Sequence, residues 1–311
     1  MAKDIRIGIL GIGGTGGFFG GKLAHYYKNI DNVKIVFIAR NKTKRIIAES
    51  GLRVESIEGD FTTAPDLVTD NTAEIGVLDI LFVCVKSYSL EEALLTYRNN
   101  LASGGVVITI QNVVNQAERV KAVLPDNVQH LEGCAYILSN TIDIARIKHK
   151  GGPATVFFGN NADIKEYKWV EDIFVKAGVK ATLTSTISET IWKKFLFISP
   201  VAVATSYFNS TIGELRDHPE KIYFLEGLMK ELFQLIKTKG IGLEASEIEN
   251  HLRFLEKLPE NGKTSLQLDI EQGKPSEIDS LLEYVLKESE KHHIKLPNYK
   301  RAYERLKETA L

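Results

Sequence analysis

Ile5-Arg6-Ile7-Gly8-Ile9-Leu10-Gly11-Ile12-Gly13-Gly14-Thr15-Gly16 is an apolar run that leads into a glycine-rich turn, and a helical pattern follows at residues 17–27. In a dinucleotide site, Gly11 permits the tight turn, Gly13 lets the backbone approach a pyrophosphate, and Gly16 lets the helix pack close on the strand. The free N–H groups at the helix start then favour the phosphate charge. We therefore predict that Gly11, Gly13, Gly14, Thr15 and Gly16 bind a dinucleotide cofactor. The alternative is a glycine-rich turn that only packs.

The end of the second predicted strand indicates which dinucleotide is bound. The strand at 33–39 ends at Arg40, and the basic residues Lys42, Lys44 and Arg45 follow closely. An NAD site usually carries Asp or Glu at this point to hold the ribose 2′-hydroxyl, whereas an arginine pairs with a 2′-phosphate. We therefore predict NADP(H) as the cofactor, with Arg40 on its 2′-phosphate. The alternative is a solvated basic start of the next helix, which the helix dipole disfavours.

The composition of the 311 residues excludes several classes of protein. The formal net charge of −1 provides no global basic field for nucleic acid. No apolar stretch is long enough to cross a bilayer, and the first apolar run is a short strand rather than a signal peptide. Cys84 and Cys134 lie in apolar runs and indicate buried thiols of a reducing compartment, and the seven histidines show no metal-ligand spacing. We expect a soluble cytoplasmic protein with no metal, no nucleic-acid partner and no membrane partner.

The first part of the chain alternates strand and helix patterns. Predicted strands lie at 4–10, 33–39, 80–85, 105–110, 130–136 and 179–184, and predicted helices at 17–27, 42–49, 89–98 and 115–123. Because strands such as 80–85 are apolar on both faces, we predict a parallel sheet covered by helices. Arg53 to Thr63 and Ile144 to Phe158 are interpreted as added hairpins, bounded by Gly59-Asp60 and Gly151-Gly152-Pro153.

The pattern changes near residue 186, and from there the chain is nearly all helical. Apolar residues recur at helical spacing over 222–236 and 278–286, and Gly240 ends the first of these helices. The predicted fold class is α/β, with an N-terminal Rossmann-like dinucleotide-binding domain at 1–185 and a C-terminal all-helical domain at 186–311. Ligand sites prefer the cleft between two such domains and the C-terminal ends of parallel strands.

Polar residues follow two of the predicted strands. Lys86 comes after the strand at 80–85 and would project toward the cofactor phosphates or ribose; a simple strand-terminating lysine is the alternative. Asn112 comes after the strand at 105–110 and can donate and accept hydrogen bonds at once, which suits a ribose or a nicotinamide amide. Ordinary turn chemistry is the alternative for Asn112.

The helical part holds two further candidates. In Trp192-Lys193-Lys194-Phe195-Leu196, the apolar side chains anchor a buried helix, and one of the lysines would be drawn to its cleft face. Glu277 could be a functional acid, or Ser276 and Glu277 could simply begin a helix, since Ser is a good N-cap and acids suit the first turn.

Six segments together carry a family resemblance. They are Gly11 to Gly16, Ile38-Ala39-Arg40, Val85-Lys86, Gln111-Asn112, Trp192-Lys193-Lys194, and Thr264-Ser265 through Glu277-Ile278-Asp279. In this order they resemble the ketopantoate reductase (2-dehydropantoate 2-reductase) family over residues 5 to 298. The resemblance implies a two-domain enzyme of pantothenate biosynthesis that reduces a 2-oxo acid with NADPH. It implies Lys194 as the catalytic lysine, Glu277 as the acid on the substrate hydroxyl, Ser265 as a substrate-binding serine, and Lys86 and Asn112 as cofactor and active-site residues.

The chemistry of reduction suits these residue types. Hydride transfer to a ketone builds negative charge on oxygen, which a lysine ammonium can stabilise and protonate. A carboxylate such as Glu277 can fix a substrate hydroxyl and hold the lysine charged.

The chain departs from the family pattern at the substrate site. The family usually has Asn four and eight residues after its lysine, where this chain has Ile198 and Ala202. On a helix these positions share the face of Lys194, so we expect both residues to line a more apolar substrate pocket. Ser199 lies one position off that face and should not replace the first amide. Val113 also replaces the glycine of the family's Gln-Asn-Gly.

The leading interpretation is NADPH-dependent reduction of a small-molecule 2-oxo acid, with ketopantoate to pantoate as first candidate. A related reductase for a more apolar 2-oxo acid or imine is one alternative, and a non-catalytic nucleotide-binding redox sensor is another. The sequence does not fix the oligomeric state, for which a homodimer is considered.

Overall fold

A computed structural model describes residues 4–162 and 164–309 and divides the chain into two compact units. The first unit comprises Met1–Gln111 and Asn115–Ile187, and the second comprises Asn112–Val114 and Ser188–Leu311. The sequence suggests a single division between residues 185 and 186. The structure divides the chain two residues later and also groups Asn112–Val114 with the helical unit.

A single sheet of ten strands forms the frame of the first unit. The strands are β1 (Ile5–Leu10), β2 (Val33–Ile38), β3 (Leu52–Ser56), β4 (Phe61–Thr63), β5 (Leu67–Thr69), β6 (Leu78–Val83), β7 (Leu101–Thr109), β8 (Gln129–Asp143), β9 (Arg146–Gly159) and β10 (Lys180–Leu183). Six of them are parallel in the order β5-β2-β1-β6-β7-β8. This is the strand order of a dinucleotide-binding sheet, and the order reverses between β1 and β6. The carboxyl ends of β1 and β6 are therefore the place where such a sheet binds its ligand.

Helices cover both faces of this sheet. They are α1 (Gly14–Tyr27), α2 (Asn41–Ser50), α3 (Thr72–Ile75), α4 (Leu90–Tyr97), α5 (Gln116–Lys121) and α6 (Lys168–Lys176). Ile7 and Ile9 of β1 pack with Phe18 of α1 in one core cluster, while Leu10 packs with Leu90 of α4 in another. Because successive strand residues enter different cores, β1 is apolar on both faces, and the prediction of a covered parallel sheet is confirmed.

The two hairpins predicted from the sequence have different outcomes. The first is confirmed, since β3 and β4 pair antiparallel with Leu52 opposite Thr63. The second is wrong in its bounds, because β8 and β9 form one long antiparallel hairpin whose turn lies at residues 144–145. Gly151 and Gly152 lie inside β9, where the register shifts opposite Leu138 and Gly152 has a φ of 83°. These glycines accommodate an irregularity of the ladder and not a turn.

The second unit is helical, as predicted. Its helices are α7 (Ile187–Phe208), α8 (Ile212–Asp217), α9 (Pro219–Thr238), α10 (Ser246–Leu255), α11 (Ser265–Glu271), α12 (Tyr284–Lys291) and α13 (Pro297–Thr309). A π-helical turn, Asp279–Glu283, precedes α12. Leu196 of α7, Leu228 of α9 and Tyr299 of α13 are fully buried in the shared core. Across residues 4–162 and 164–309, no helix is both long and apolar enough to cross a membrane.

Candidate active site

The glycine-rich turn between β1 and α1 has the geometry of a phosphate-binding loop. Gly11 has a φ of 96°, and a Cβ there would lie 2.9 Å from the Val85 backbone nitrogen. A Cβ on Gly16 would lie 2.0 Å from the Gly11 carbonyl oxygen, so only glycine lets α1 start this close to β1. A Cβ on Gly13 would meet no heavy atom of the described residues within 4 Å. Gly13 therefore leaves room where a pyrophosphate can approach, and the turn fits a dinucleotide.

Gly14 has a structural reason to be glycine. A Cβ there would lie 2.3 Å from the Ser139 carbonyl oxygen, and the Ser139 hydroxyl donates a 3.0 Å hydrogen bond to the Gly14 carbonyl. Strand β8 thus packs directly on the first turn of α1. Contacts of Gly14 and Thr15 with the cofactor stay predictions. No side chain caps α1 at Gly13, so its first N–H groups suit an anion.

The cations of the basic cluster after β2 differ in their partners. Lys44 donates to the Asp70 carboxylate at 2.5 Å, which raises the pKa of Lys44 and lowers the pKa of Asp70. Arg40 is exposed just beyond β2, and its carbonyl accepts from the Lys44 N–H at 3.3 Å. Among the described residues its side chain forms no hydrogen bond or ion pair. Asp70 follows β5, a short strand that sequence reasoning missed, so its neutralisation of Lys44 was not foreseen. The role of Arg40 at a 2′-phosphate stays a prediction.

Lys86 and Gln111 follow the neighbouring strands β6 and β7. Lys86 is half-buried and precedes a short 3₁₀ turn, Ser87–Ser89. Gln111 is buried, and its amide nitrogen donates to the carbonyl oxygens of Val83 at 3.0 Å and Val85 at 3.2 Å. Gln111 therefore fixes the backbone on either side of Cys84, up to Val85, which directly precedes Lys86. Sequence reasoning gave Gln111 no role, although its place at a strand end was a signal.

A buried polar network supports Gln111. The Thr109 hydroxyl donates to the Gln116 Oε1 at 2.7 Å, so the 2.7 Å contact with His130 requires that His130 Nε2 carry the proton and donate it. Burial lowers the pKa of His130 to about 4, so the ring is neutral near pH 7. The amide nitrogen of Gln116 donates to the Gln111 carbonyl at 2.9 Å. The network thus fixes the backbone immediately before Asn112.

The two adjacent lysines of α7 have different partners. Lys194 is half-buried, and its ammonium donates to the Asn112 Oδ1 at 2.7 Å. Lys193 is exposed and pairs with Glu247 of α10 at 2.7 Å. The structure therefore brings together Lys194 and Asn112, two of the residues that the sequence singles out, although they are 82 positions apart.

The face of α7 beyond Lys194 is apolar and then meets α11. Ile198 is half-buried, and Ala202 is 5% exposed within the core of the unit. Further along, the Thr205 hydroxyl lies 2.9 Å from the hydroxyl of Thr264, which caps the start of α11. This contact fixes the exposed Ser265, the first residue of α11.

Glu277 lies just before the π-helical turn and is only 6% exposed. An acid that merely begins a helix would normally be solvated, so its burial supports a specific role. Its carbonyl accepts hydrogen bonds from the N–H groups of Ser280 and Leu281. In the part of the chain that the structure describes, no cluster of three His, Cys, Asp or Glu residues could hold a metal ion.

A dinucleotide-binding sheet followed by a helical unit that carries a lysine–asparagine pair defines a nicotinamide-dependent oxidoreductase. Two family models match the chain: "Ketopantoate reductase PanE/ApbA" over residues 7–163 and "Ketopantoate reductase PanE/ApbA C terminal" over residues 186–310. The chain belongs to the ketopantoate reductase family. The family uses NADPH, and the dinucleotide-binding fold needed for it is present.

Relatives along the whole chain agree with this assignment. The chain is 24% identical over 300 residues to the uncharacterized oxidoreductase YkpB of Bacillus subtilis, covering 96% of each chain. It is 23% identical to the 2-dehydropantoate 2-reductase of a Nostoc species, covering 98% of this chain and 95% of the relative. The crystal structure of 2-dehydropantoate 2-reductase from Porphyromonas gingivalis superimposes with a TM-score of 0.83 at 28% identity, covering 98% of this chain and 99% of the other.

Proposed function

We propose that this protein reduces a 2-oxo acid to a 2-hydroxy acid with NADPH, with ketopantoate to pantoate as the first candidate reaction, a step of pantothenate biosynthesis. The observation that carries the proposal is the 2.7 Å hydrogen bond from the half-buried Lys194 to Asn112. This bond supports the proposal because it orients an ammonium on a helix within the region that matches the family's C-terminal model.

In this proposal the first unit holds the cofactor. The backbone from Gly11 to Gly16 would bind the pyrophosphate, and Arg40 would pair with the 2′-phosphate. Lys86 and Asn112 would contact the cofactor from the ends of β6 and β7. Bound NADPH would supply the hydride.

Lys194 would act on the substrate oxygen. Its ammonium stabilises the negative charge that develops there and donates the proton from Nζ. Asn112 accepts from the ammonium through an amide oxygen that is not basic, so it orients Lys194 without taking its proton. Glu277 would accept from a substrate hydroxyl, and Ser265 would donate to the substrate. The burial of Glu277 lowers the local dielectric and strengthens such a contact.

Ile198 and Ala202 would affect which 2-oxo acid the proposed site prefers. Neither side chain can replace the hydrogen bonds of an amide, and each missing bond costs a polar substrate about 0.5–1.5 kcal/mol. This supports a second candidate, a 2-oxo acid with a more apolar side chain than ketopantoate.

The test is a comparison of kcat/KM for ketopantoate and for aliphatic 2-oxo acids. If the second candidate is right, the wild type should favour an aliphatic substrate, and Ile198→Asn should lower KM for ketopantoate. The double variant with Ala202→Asn should lower it further, although not additively, because both sites face one ligand. Since Ala202 is buried, the thermal stability of each variant is measured alongside. A wild type that already reduces ketopantoate efficiently, with no gain in the variants, would contradict the apolar-substrate proposal.

For the assembly we propose a homodimer. A ketopantoate reductase from Staphylococcus aureus with the same fold is described as dimeric. Light scattering on the purified chain should give twice the mass of one chain, and a mass of one chain would contradict the proposal.

A further inference from the structure

The segment after Glu277 does not continue as a regular α-helix. Asp279–Glu283 form a π-helical turn, and such turns are rare and recur at functional sites. The Glu277 carbonyl accepts from the N–H of Ser280 at 3.1 Å and from the N–H of Leu281 at 2.9 Å. The backbone of Glu277 is therefore held by the first residues of the π-helical turn.

A buried serine of α7 is hydrogen-bonded to this turn. Ser199 is 0% exposed, and its hydroxyl donates to the Leu281 carbonyl at 2.8 Å. Because that bond uses the single proton of the hydroxyl, Tyr299, whose OH lies 2.7 Å from Ser199 Oγ, must be the donor in the second bond. Donation therefore runs from Tyr299 to Ser199 to Leu281, and the N–H of Leu281 bonds to Glu277.

Tyr299 is itself fixed. It is fully buried at the start of α13, and its N–H and that of Asn298 donate to the Glu231 carboxylate at 3.1 and 2.8 Å. Burial raises the pKa of the Tyr299 phenol, so the phenol stays protonated and remains a donor. The start of α13 is thus fixed to α9 through Glu231.

We propose that Ser199, with Tyr299 as its donor, is a positioning residue that fixes Glu277 relative to the helix of Lys194. The inference rests on the proposed function and deepens it. Ser199 lies on α7 five residues after Lys194, so one buried hydroxyl links the helix of the proton donor to the turn that holds the acid. Without it, the Leu281 carbonyl loses the donor from α7 and the buried Tyr299 hydroxyl loses its acceptor, and a shift of the turn would be the relief.

The primary test compares Ser199→Ala with Ser206→Ala. Ser206 lies on the same helix, and its hydroxyl has no hydrogen-bond partner among the described residues, so it is a matched control. Ser199→Ala should lower kcat on the preferred 2-oxo acid roughly tenfold or more. Ser206→Ala should not change kcat, and Tyr299→Phe, which keeps the bond from Ser199 to Leu281, should have a smaller effect than Ser199→Ala. NADPH affinity should stay unchanged in all three variants.

A double-mutant cycle separates positioning from general destabilisation. In a Glu277→Gln background, Ser199→Ala should cause little further loss of kcat, because the group it positions is already disabled. The same fold loss in both backgrounds would overturn the proposal.

Hydrogen exchange tests the contact without turnover. Ser199→Ala should accelerate exchange of the Leu281 amide, and Ser206→Ala should not. Unchanged exchange would overturn the proposal whether or not any 2-oxo acid is reduced. If the wild type reduced none, the proposed function would fail while the exchange result still decided whether Ser199 holds the turn.

Discussion

Lys194→Ala is the substitution whose effect the structure specifies most closely. Lys194 is half-buried and hydrogen-bonded to Asn112 at 2.7 Å. If it acts as proposed, alanine removes both the proton donor and the positive charge next to the developing oxyanion. General acid–base catalysis contributes about 100- to 10,000-fold. This corresponds to about 2.7–5.4 kcal/mol of transition-state stabilisation, at 1.36 kcal/mol for each factor of ten. We expect a loss of kcat in that range, with NADPH affinity nearly unchanged.

Lys193→Ala is the matched control, because the neighbouring lysine on the same helix is exposed and pairs with Glu247 instead of Asn112. Its pair with Glu247 is partly exposed, and such pairs are worth at most about 1 kcal/mol of folding stability. The assay is NADPH consumption under saturating substrate, together with the free energy of unfolding in urea. Lys193→Ala should lower that free energy slightly and leave kcat unchanged. Equal losses of kcat in the two variants would refute the assignment of Lys194 as the proton donor.

Three further predictions follow from the first unit. Arg40→Ala should weaken NADPH binding by roughly 1.5–3 kcal/mol, the worth of a charged hydrogen bond, and leave NADH nearly unaffected; equal wild-type affinities for the two cofactors in calorimetry would contradict this. Gly13→Ala should weaken NADPH binding and change folding stability by less than about 1 kcal/mol. Gly14→Ala should instead lower Tm, because its Cβ would lie 2.3 Å from a carbonyl oxygen of β8. Thermal unfolding with and without NADPH distinguishes the two effects, and the reverse pattern would refute them. Because the pKa of His130 is lowered to about 4, the unfolded chain binds a proton that the folded chain does not, so stability should fall as pH drops from about 6.5 to 4, by at most about 3 kcal/mol. In urea unfolding, the free energy of unfolding should depend less on pH in His130→Gln than in the wild type. The same pH dependence in both proteins would count against this role of His130.

Local sequence physics was enough to predict the dinucleotide half of the fold. The φ of 96° at Gly11 and the contact of Gly16 with the Gly11 carbonyl both arise within one strand–turn–helix unit, so a local sequence pattern can indicate them. The parallel sheet could be predicted from the alternation of apolar strands and helices, which is also a local pattern. The long β8–β9 hairpin was missed in its bounds, because Gly151 and Gly152 look like a turn signal, while the actual turn contains Ala145 at a φ of 56°.

The contacts that assemble the candidate site could not be derived from local patterns. The pairing of Lys194 with Asn112 joins distant parts of the chain. The strand-end pattern pointed to Asn112, but only the resemblance to a family selected Lys194 over Lys193. The role of Gly14 depends on Ser139 in β8, and the neutralisation of Lys44 depends on Asp70 after a three-residue strand. Each of these contacts depends on tertiary packing, which a periodic pattern in the sequence does not reveal.

Transfer of a labelled hydride tests the central claim most directly. The purified chain is incubated with NADPH deuterated at the transferable position of the nicotinamide and with ketopantoate or an aliphatic 2-oxo acid, and the product is analysed by mass spectrometry. The account predicts a 2-hydroxy acid with deuterium on C2, formed in step with NADPH consumption and at least about 100-fold more slowly by Lys194→Ala. NADPH binding without any deuterated 2-hydroxy acid from these substrates would contradict it.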